Sequence, residues 1–152
     1  REALTARLRS LLGGRAAEQV VFSTMTTGAA NDLQRASGLA RSMIAQYGMS
    51  DALGLMAPAS VQHQYLDGAA QLDCSQETAA KVDMAVQNIL NQCYNDAKQL
   101  LTENRALLDE ISEYLLLKET ITGDELMAYV NAAKNPPEEY QDFNAEDEDF
   151  ED

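Results

Sequence analysis

Asp32 is the first residue whose type and setting suggest chemistry. It stands in the stretch TTGAANDLQR, residues 26–35, where a glycine and small residues precede an Asn-Asp pair. Such a stretch is typical of a helix start, and the purely structural interpretation is that Asp32 caps that helix. A carboxylate can also be a metal ligand, which makes Asp32 a candidate for a metal site. The local sequence leaves both interpretations open, and Asn31 is a second candidate for the cap.

Arg15 and Glu18 are two charged residues on an otherwise apolar face of a predicted helix. At about 100° per residue, that face also contains Leu4, Leu8 and Leu11. A spacing of three residues allows an ion pair at the edge of the core, and pairing is expected because an ionised group buried alone is costly. The alternative is that Glu18 faces an active site built against this helix.

His63 is the only histidine of the chain, and neither Glu nor His follows it four residues later. The HExxH spacing, which places two imidazoles on one helical face to bind zinc, is therefore absent from this sequence. Motifs of the G-x-S-x-G, Walker and Rossmann types are absent as well. The 152 residues contain no self-sufficient catalytic constellation.

Cys74 and Cys93 are the only cysteines, and neither belongs to a CxxC pair. This pattern argues against a zinc knuckle or a redox motif. Cys93 falls on the apolar stripe of a predicted helix and is expected to be a buried free thiol. Two such cysteines favour a reducing, cytosolic setting over a secreted one.

The formal net charge of -14 is spread unevenly. Residues 135–152 contain nine of the 25 acids and no Lys or Arg, which leaves -5 on the rest of the chain. Both parts would repel a polyphosphate, so a nucleic-acid partner is excluded. The tail is expected to be solvated and disordered, and its three aromatic residues leave room for a docking motif. The chain has no run of about 18 apolar residues, so it is expected to be soluble.

Two helices and an irregular segment are predicted in the first half of the chain. Apolar spacing predicts a helix from Glu2 to about Phe22, in which Gly13-Gly14 indicates a kink or a close approach by another backbone. A second helix is predicted from Ala29 or Ala30 to Tyr47, with Gly48 as its stop. Residues 49–73 lose the helical period, and two apolar segments, 53–57 and 61–66, are expected to pair as a small hairpin.

Three further helices are predicted in the second half. Ser75 is the expected N-cap of the longest, whose apolar stripe runs from Val82 to Leu100. Thr102 is predicted to cap the next helix, and Thr122 opens a capping box for the last. The fold class is therefore all-α, a helical bundle-like domain with a small irregular or hairpin insert around 49–73.

Three stretches resemble one protein family. They are LLGGRAAEQVVF (11–22), TTGAANDLQRASGLARSMIAQYGMSDALG (26–54) and the long segment 77–126 that begins ETAAKVDMAVQ. Together they are similar to the C-terminal part of the peptidase domain of FtsH, the membrane-anchored, ATP-dependent zinc metalloprotease. The resemblance covers residues 1–131 in consistent order. It divides the chain into a peptidase portion, residues 1–134, and an acidic tail, residues 135–152.

The resemblance implies a site that this sequence contains only in part. In the family, an HExxH helix supplies two zinc-binding histidines and the catalytic Glu, and the Asp of the TGA-x-ND block is the third ligand. That residue is Asp32 here, and Glu18 is the second candidate, interpreted as a neighbour of the site. Besides the missing HExxH motif, the sequence departs from the family at Ala30, often Ser, and at Tyr47, commonly Trp.

The resemblance also implies what the parent protein does. It is expected to be a hexamer that degrades unfolded or membrane-derived polypeptides by metal-activated water, on the cytoplasmic side of a bacterial or organellar membrane. The anchor and the ATPase module, through which ATP would act, are absent from these 152 residues, and the chain alone is expected to be inactive. The alternative is a non-catalytic helical module derived from the same family, used for assembly or interaction.

Overall fold

The structure is a computed structural model, and it describes residues 1–60 and 71–134. Helices α1 (Glu2–Phe22) and α2 (Ala30–Ala45) come first, followed by a short 3-10 helix (Asp51–Leu53). Two short strands, β1 (Ala59–Ser60) and β2 (Gln71–Leu72), pair antiparallel. Three helices complete the order: α3 (Gln76–Glu103), α4 (Arg105–Lys118) and α5 (Gly123–Lys134). The all-α fold class is confirmed. None of these helices is long and apolar enough to cross a membrane.

The core of the first compact unit, which ends at Asn104, lies among α1, α2 and α3. Apolar residues spaced three and four apart on each helix face this core, as the sequence period requires. Its fully buried members include Leu8 of α1, Met43 of α2 and Val82 of α3. Ala36 and Ala40 are also fully buried, and their small side chains let α2 approach its neighbours closely.

Two ion pairs join α3 to the other two helices of this unit. Arg9 Nε lies 3.0 Å from Asp96 Oδ2, and Arg41 Nη2 lies 2.7 Å from Asp83 Oδ1. All four side chains are well exposed, so each pair contributes at most about 1 kcal/mol to stability. They therefore favour one alignment of the helices, while apolar burial supplies most of the stabilisation.

The insert predicted around residues 49–73 contains an antiparallel pair of strands, but the paired residues are 59–60 and 71–72. Residues of the first predicted segment, 53–57, form the end of a 3-10 helix and a turn, with Leu53 buried against the core. The second predicted segment, 61–66, lies outside the described residues. Helix α2 ends at Ala45 with Gln46 as its C-cap, two residues before the predicted end at Tyr47. Gly48, the predicted stop, has φ +62 and lies just beyond this end, where the N–H of Met49 donates to the carbonyl of Met43 at 2.9 Å.

Three expectations about the helices are corrected. Helix α1 runs through Gly13 and Gly14, and a Cβ at either position would meet no atom of the described residues within 4 Å, so the expected close approach of another backbone is wrong, while a kink stays a prediction. Thr102 lies inside α3, where its hydroxyl donates to the carbonyl of Lys98 at 2.8 Å instead of capping α4. Leu100, assigned to the buried stripe, is 61% exposed, because the apolar core ends at Ala97, one turn earlier.

Helices α4 and α5 belong to a second compact unit that begins at Arg105. The capping box is confirmed: Thr122 N donates to Glu125 Oε2 at 2.8 Å, and Glu125 N donates to Thr122 Oγ1 at 3.3 Å. The hydroxyl of Tyr114 on α4 donates to Glu125 Oε1 at 2.8 Å, and its ring stacks edge-on against Tyr129 of α5. These contacts hold α4 and α5 together as a hairpin.

Candidate metal site

The turn between α1 and α2 returns the chain to the last turns of α1. Helix α1 ends at Phe22, and its C-cap is Ser23, whose φ of 53° places it in the left-handed region and turns the chain away from the helix. Three residues later, Thr26 N donates a hydrogen bond to Glu18 Oε2 at 3.2 Å. The Thr26 hydroxyl donates to the other carboxylate oxygen, Oε1. One side chain of α1 thus holds both the backbone and the side chain of Thr26.

Glu18 also accepts a hydrogen bond from Arg15 Nη1 at 3.2 Å, which confirms the predicted ion pair. The Glu18 side chain is only 19% exposed. The hydrogen bonds from the Thr26 hydroxyl and N–H, with a smaller contribution from Arg15, hold the pKa of Glu18 below its usual value. At neutral pH, Glu18 is therefore an ionised acceptor with donors at both oxygens.

Gly28 continues the same network. Its N–H donates to Thr26 Oγ1 at 3.1 Å, so the threonine hydroxyl donates to Glu18 and accepts from Gly28. A Cβ at position 28 would lie 3.3 Å from Thr26 Oγ1 and 3.6 Å from Glu18 Oε1. The first of these distances is tighter than ordinary packing, so the glycine lets the backbone close over the Glu18–Thr26 contact.

Asp32 lies in the first turn of α2, immediately after this network. The N-cap of the helix is Ala29, with no side-chain capping bond, so capping by Asp32 or by Asn31 is wrong. The Asp32 side chain is 46% exposed and forms a 3.7 Å ion pair with Arg35, one turn further on. Its negative charge at the positive end of α2 is favourable. The carboxylate is thus accessible and only loosely held by a neighbouring side chain.

An apolar cleft of about 390 Å³ opens among α1, α2 and α3 beside this turn. Leu33, the residue after Asp32, forms part of its wall, and Arg15 and Met25 contribute from the other side of the turn. Its remaining lining residues are Leu12, Ser37, Leu90, Asn91 and Tyr94. The surroundings of the candidate site therefore combine an exposed carboxylate with an adjoining apolar surface.

The other candidate residues do not join Asp32. His63 lies outside the described residues. Cys93 is buried in the core, as predicted, and burial raises the pKa of its thiol. Within residues 1–60 and 71–134, no three His, Cys, Asp or Glu side chains lie close enough together to hold a metal ion. The described residues therefore do not supply the full ligand set of a zinc site, and Asp32 remains a candidate for one of its ligands.

Sequence reasoning identified Asp32, Arg15 and Glu18 but missed Thr26 and Gly28. The signal for them was present in the sequence, since a Thr-Thr-Gly turn precedes the Asn-Asp pair that opens α2. Hydroxyl residues before a helix are commonly interpreted as caps. Here the Thr26 hydroxyl serves the preceding helix instead, by binding a carboxylate eight residues earlier.

The comparisons with known proteins are consistent over most of the chain. The model of peptidase family M41 matches residues 1–129. A protein of Lancefieldella parvula named ATP-dependent zinc metalloprotease FtsH is 50% identical over 117 residues, 77% of this chain and 18% of the relative. A protein of the same name from Clostridium perfringens is 46% identical over 130 residues, which cover 86% of this chain and 18% of the relative. Another from Thermotoga maritima is 46% identical over 129 residues, which cover 83% of this chain and 21% of the relative.

The chain spans about a fifth of the length of these curated relatives. The matched residues 1–129 contain the Glu18–Thr26 network, the start of α2 and Asp32. A family-model match of this extent, together with relatives at 46–50% identity, establishes that the chain belongs to peptidase family M41.

Proposed function

We propose that this chain is part of an ATP-dependent zinc metalloendopeptidase and supplies Asp32 as a carboxylate ligand to the zinc ion. The observation that carries the proposal is the setting of Asp32. It is an exposed first-turn acid that does not cap its helix, and it lies within the segment matched by the M41 family model. The names of the relatives supply the metal and the reaction class.

The chemistry of Asp32 suits this role. Zinc accepts carboxylate oxygens at about 2.0–2.2 Å and takes three protein ligands in a hydrolytic site. The Arg35 guanidinium, at 3.7 Å, is a weak, exposed competitor that a divalent cation would displace. The negative charge of the carboxylate is needed for the ligand role, whereas its favourable interaction with the helix dipole is worth only about 0.3–1 kcal/mol.

The remaining ligands and the general base would come from an HExxH segment elsewhere in the parent polypeptide. Bound zinc would polarise a peptide carbonyl and activate the attacking water, so hydrolysis would need no covalent enzyme intermediate. Since the 152 residues contain one histidine and no HExxH motif, we propose that this chain alone is inactive. Its own contribution is to hold one carboxylate at the start of α2.

The parent protein is proposed to use ATP through a separate ATPase module and to assemble as a hexamer. It is also proposed to be anchored in a bacterial or organellar membrane, with its peptidase part on the cytoplasmic side. Its substrates are proposed to be unfolded or membrane-derived polypeptides. The names of the relatives support ATP dependence, zinc and proteolysis. The hexamer, the anchor and the substrate class follow from the resemblance to FtsH.

The test uses the parent's peptidase region, extended upstream to include the HExxH segment, with and without the substitution Asp32→Asn. Zinc content is measured by atomic absorption, and cleavage is measured with an unfolded polypeptide. We expect about one zinc per parent chain and its loss, together with activity, in the variant. Circular dichroism checks that α2 remains folded, since Asn is also tolerated in a first helical turn.

Glu77→Gln is the matched control, because Glu77 is likewise an acid in the first turn of a helix and forms an exposed ion pair, with Lys81. This variant should keep both zinc and activity. Retention of zinc by Asp32→Asn would overturn the ligand assignment. A parent region that binds no zinc at all would instead favour the non-catalytic helical module.

A further inference from the structure

The Glu18 carboxylate holds the turn before α2 at two points. Thr26 N donates to Oε2 at 3.2 Å, and the Thr26 hydroxyl donates to Oε1. Arg15 adds a third hydrogen bond at 3.2 Å from the same helix. Because both oxygens already accept donors and the side chain is largely buried, Glu18 is poorly placed to serve as a metal ligand itself.

The contact continues toward α2 through the threonine hydroxyl. Gly28 N donates to Thr26 Oγ1 at 3.1 Å, and the next residue, Ala29, is the buried N-cap of the helix. Ala30 N then donates to the carbonyl of Thr27 at 3.1 Å. A continuous set of hydrogen bonds therefore runs from α1 to the first turn of α2, where Asp32 lies.

The start of α2 depends on this set because no side chain caps it. Successive residues of a helix are about 100° apart, so a rotation of the first turn of α2 about its axis by one residue would turn the Asp32 carboxylate away from its present direction. The Asp32–Arg35 ion pair, at 3.7 Å and well exposed, is too weak to restore that direction. The backbone of the turn, together with the packing of Leu33 and Ala36 in the core, therefore sets the position of Asp32.

We propose that Glu18 is a positioning residue for the Asp32 carboxylate and acts through Thr26 and Gly28 on the first turn of α2. The inference rests on the proposed function, in which Asp32 binds zinc. Glu18 orients the turn without contacting the metal. Zinc affinity then depends on the Thr26 hydroxyl, a group that lies in the turn before the helix and has no charge.

The test compares Glu18→Gln, Thr26→Val and Thr26→Ser. Thr26→Val keeps the shape of the side chain and removes the hydroxyl, while Thr26→Ser keeps the hydroxyl. Amide hydrogen exchange of residues 28–33 is measured in this chain, and zinc affinity is measured in the extended peptidase region by competition with a chelating dye. Asp96→Asn is the control, because it removes another α1 contact, the ion pair with Arg9, far from the turn in sequence.

We expect Thr26→Val and Glu18→Gln each to lower zinc affinity about 10–100-fold, the range typical of residues that orient metal ligands. Both should accelerate amide exchange across residues 28–33. Thr26→Ser and Asp96→Asn should leave the affinity and the exchange close to those of the unmodified protein. Normal zinc affinity in Thr26→Ser would show that the effect of Thr26→Val comes from the lost hydroxyl contact and not from a general loss of stability.

Two results would overturn the inference. If Glu18→Gln loses zinc while Thr26→Val keeps it, Glu18 acts on the metal directly. If both variants bind zinc normally while Asp32→Asn does not, the turn does not position the ligand, although the proposed function stands. Normal zinc binding by Asp32→Asn would instead refute the proposed function, and the positioning role would fall with it.

Discussion

At the scale of single residues, the Glu18 carboxylate couples its charge to the hydrogen bonds that hold the turn before α2. Two hydrogen bonds from Thr26 stabilise its ionised form and lower its pKa below the ordinary value of 4.5 for a glutamate. In an unfolded chain the carboxyl returns to its ordinary value. Between the two values the unfolded state binds more protons, so stability falls as the pH falls.

We expect the substitution Glu18→Gln to reveal this dependence. The contribution of the Glu18 charge is fully present above pH 4.5 and is lost as the pH decreases through the lowered value of the folded state. The melting temperature of the variant should therefore lie below that of the unmodified protein at neutral pH, and the gap should narrow in acid. A gap that stays constant through this range would show that the carboxylate charge does not stabilise the turn.

Single residues also show how far the sequence predicts the site. The Arg15–Glu18 pair follows from a spacing of three on one helical face, and the structure contains it. The partnership with Thr26 does not follow from helical spacing, because it depends on a left-handed residue at Ser23 that turns the chain away from the helix. Left-handed serine is uncommon, so a sequence pattern gives little warning of such a turn.

At the scale of elements, the glycines of α1 and α2 offer a matched comparison. A Cβ at Gly14 or Gly38 would meet nothing within 4 Å, and both positions are helical and exposed. Alanine at either should stabilise the protein by about 0.5–1 kcal/mol, because it restricts the unfolded chain and favours helix. Gly48, at φ +62, is the opposite case, and alanine there should cost about 1–2 kcal/mol.

Urea denaturation of the three variants measures these changes in the free energy of unfolding. Opposite signs for the helical glycines and Gly48 would establish that α1 and α2 continue through open space at Gly14 and Gly38 and that the turn after α2 needs a left-handed residue at Gly48. Destabilisation by Gly14→Ala would instead mean that another group packs at this point of α1, as the Gly-Gly pair suggested from sequence.

The element scale also explains which helical predictions succeeded. The starts at Ser75 and Thr122 were predictable, because each hydroxyl accepts a hydrogen bond from a backbone N–H three residues later. Thr102 has the same chemistry, but α3 continues past it to Glu103 and its hydroxyl donates to a carbonyl one turn back. A threonine near a helix junction fits both roles, and the sequence does not distinguish them.

At the scale of the whole molecule, burial is divided unequally along the chain. Helices α1, α2 and α3 each contribute buried apolar side chains, whereas α4 and α5 contain none. Apolar spacing predicted the faces of α1 and α3 that prefer burial, but such a pattern does not state how completely a face is covered. The proposed boundary at residue 134 and the state of the acidic tail stay predictions, because residues 135–152 lie outside the described part of the chain.

This division predicts unequal protection against amide hydrogen exchange. Local opening costs less free energy where few apolar side chains are buried, so amides in α4 and α5 should exchange at least about 10-fold faster than those around Val82, Val86 and Cys93 in α3. Mass spectrometry of peptides after exchange measures this difference. Thr122→Ala is the control, since loss of the capping box should accelerate exchange in α5 and thereby show that the rates report on this hairpin. Equal protection in α3, α4 and α5 would contradict the prediction and would require that the two units open in a single cooperative step.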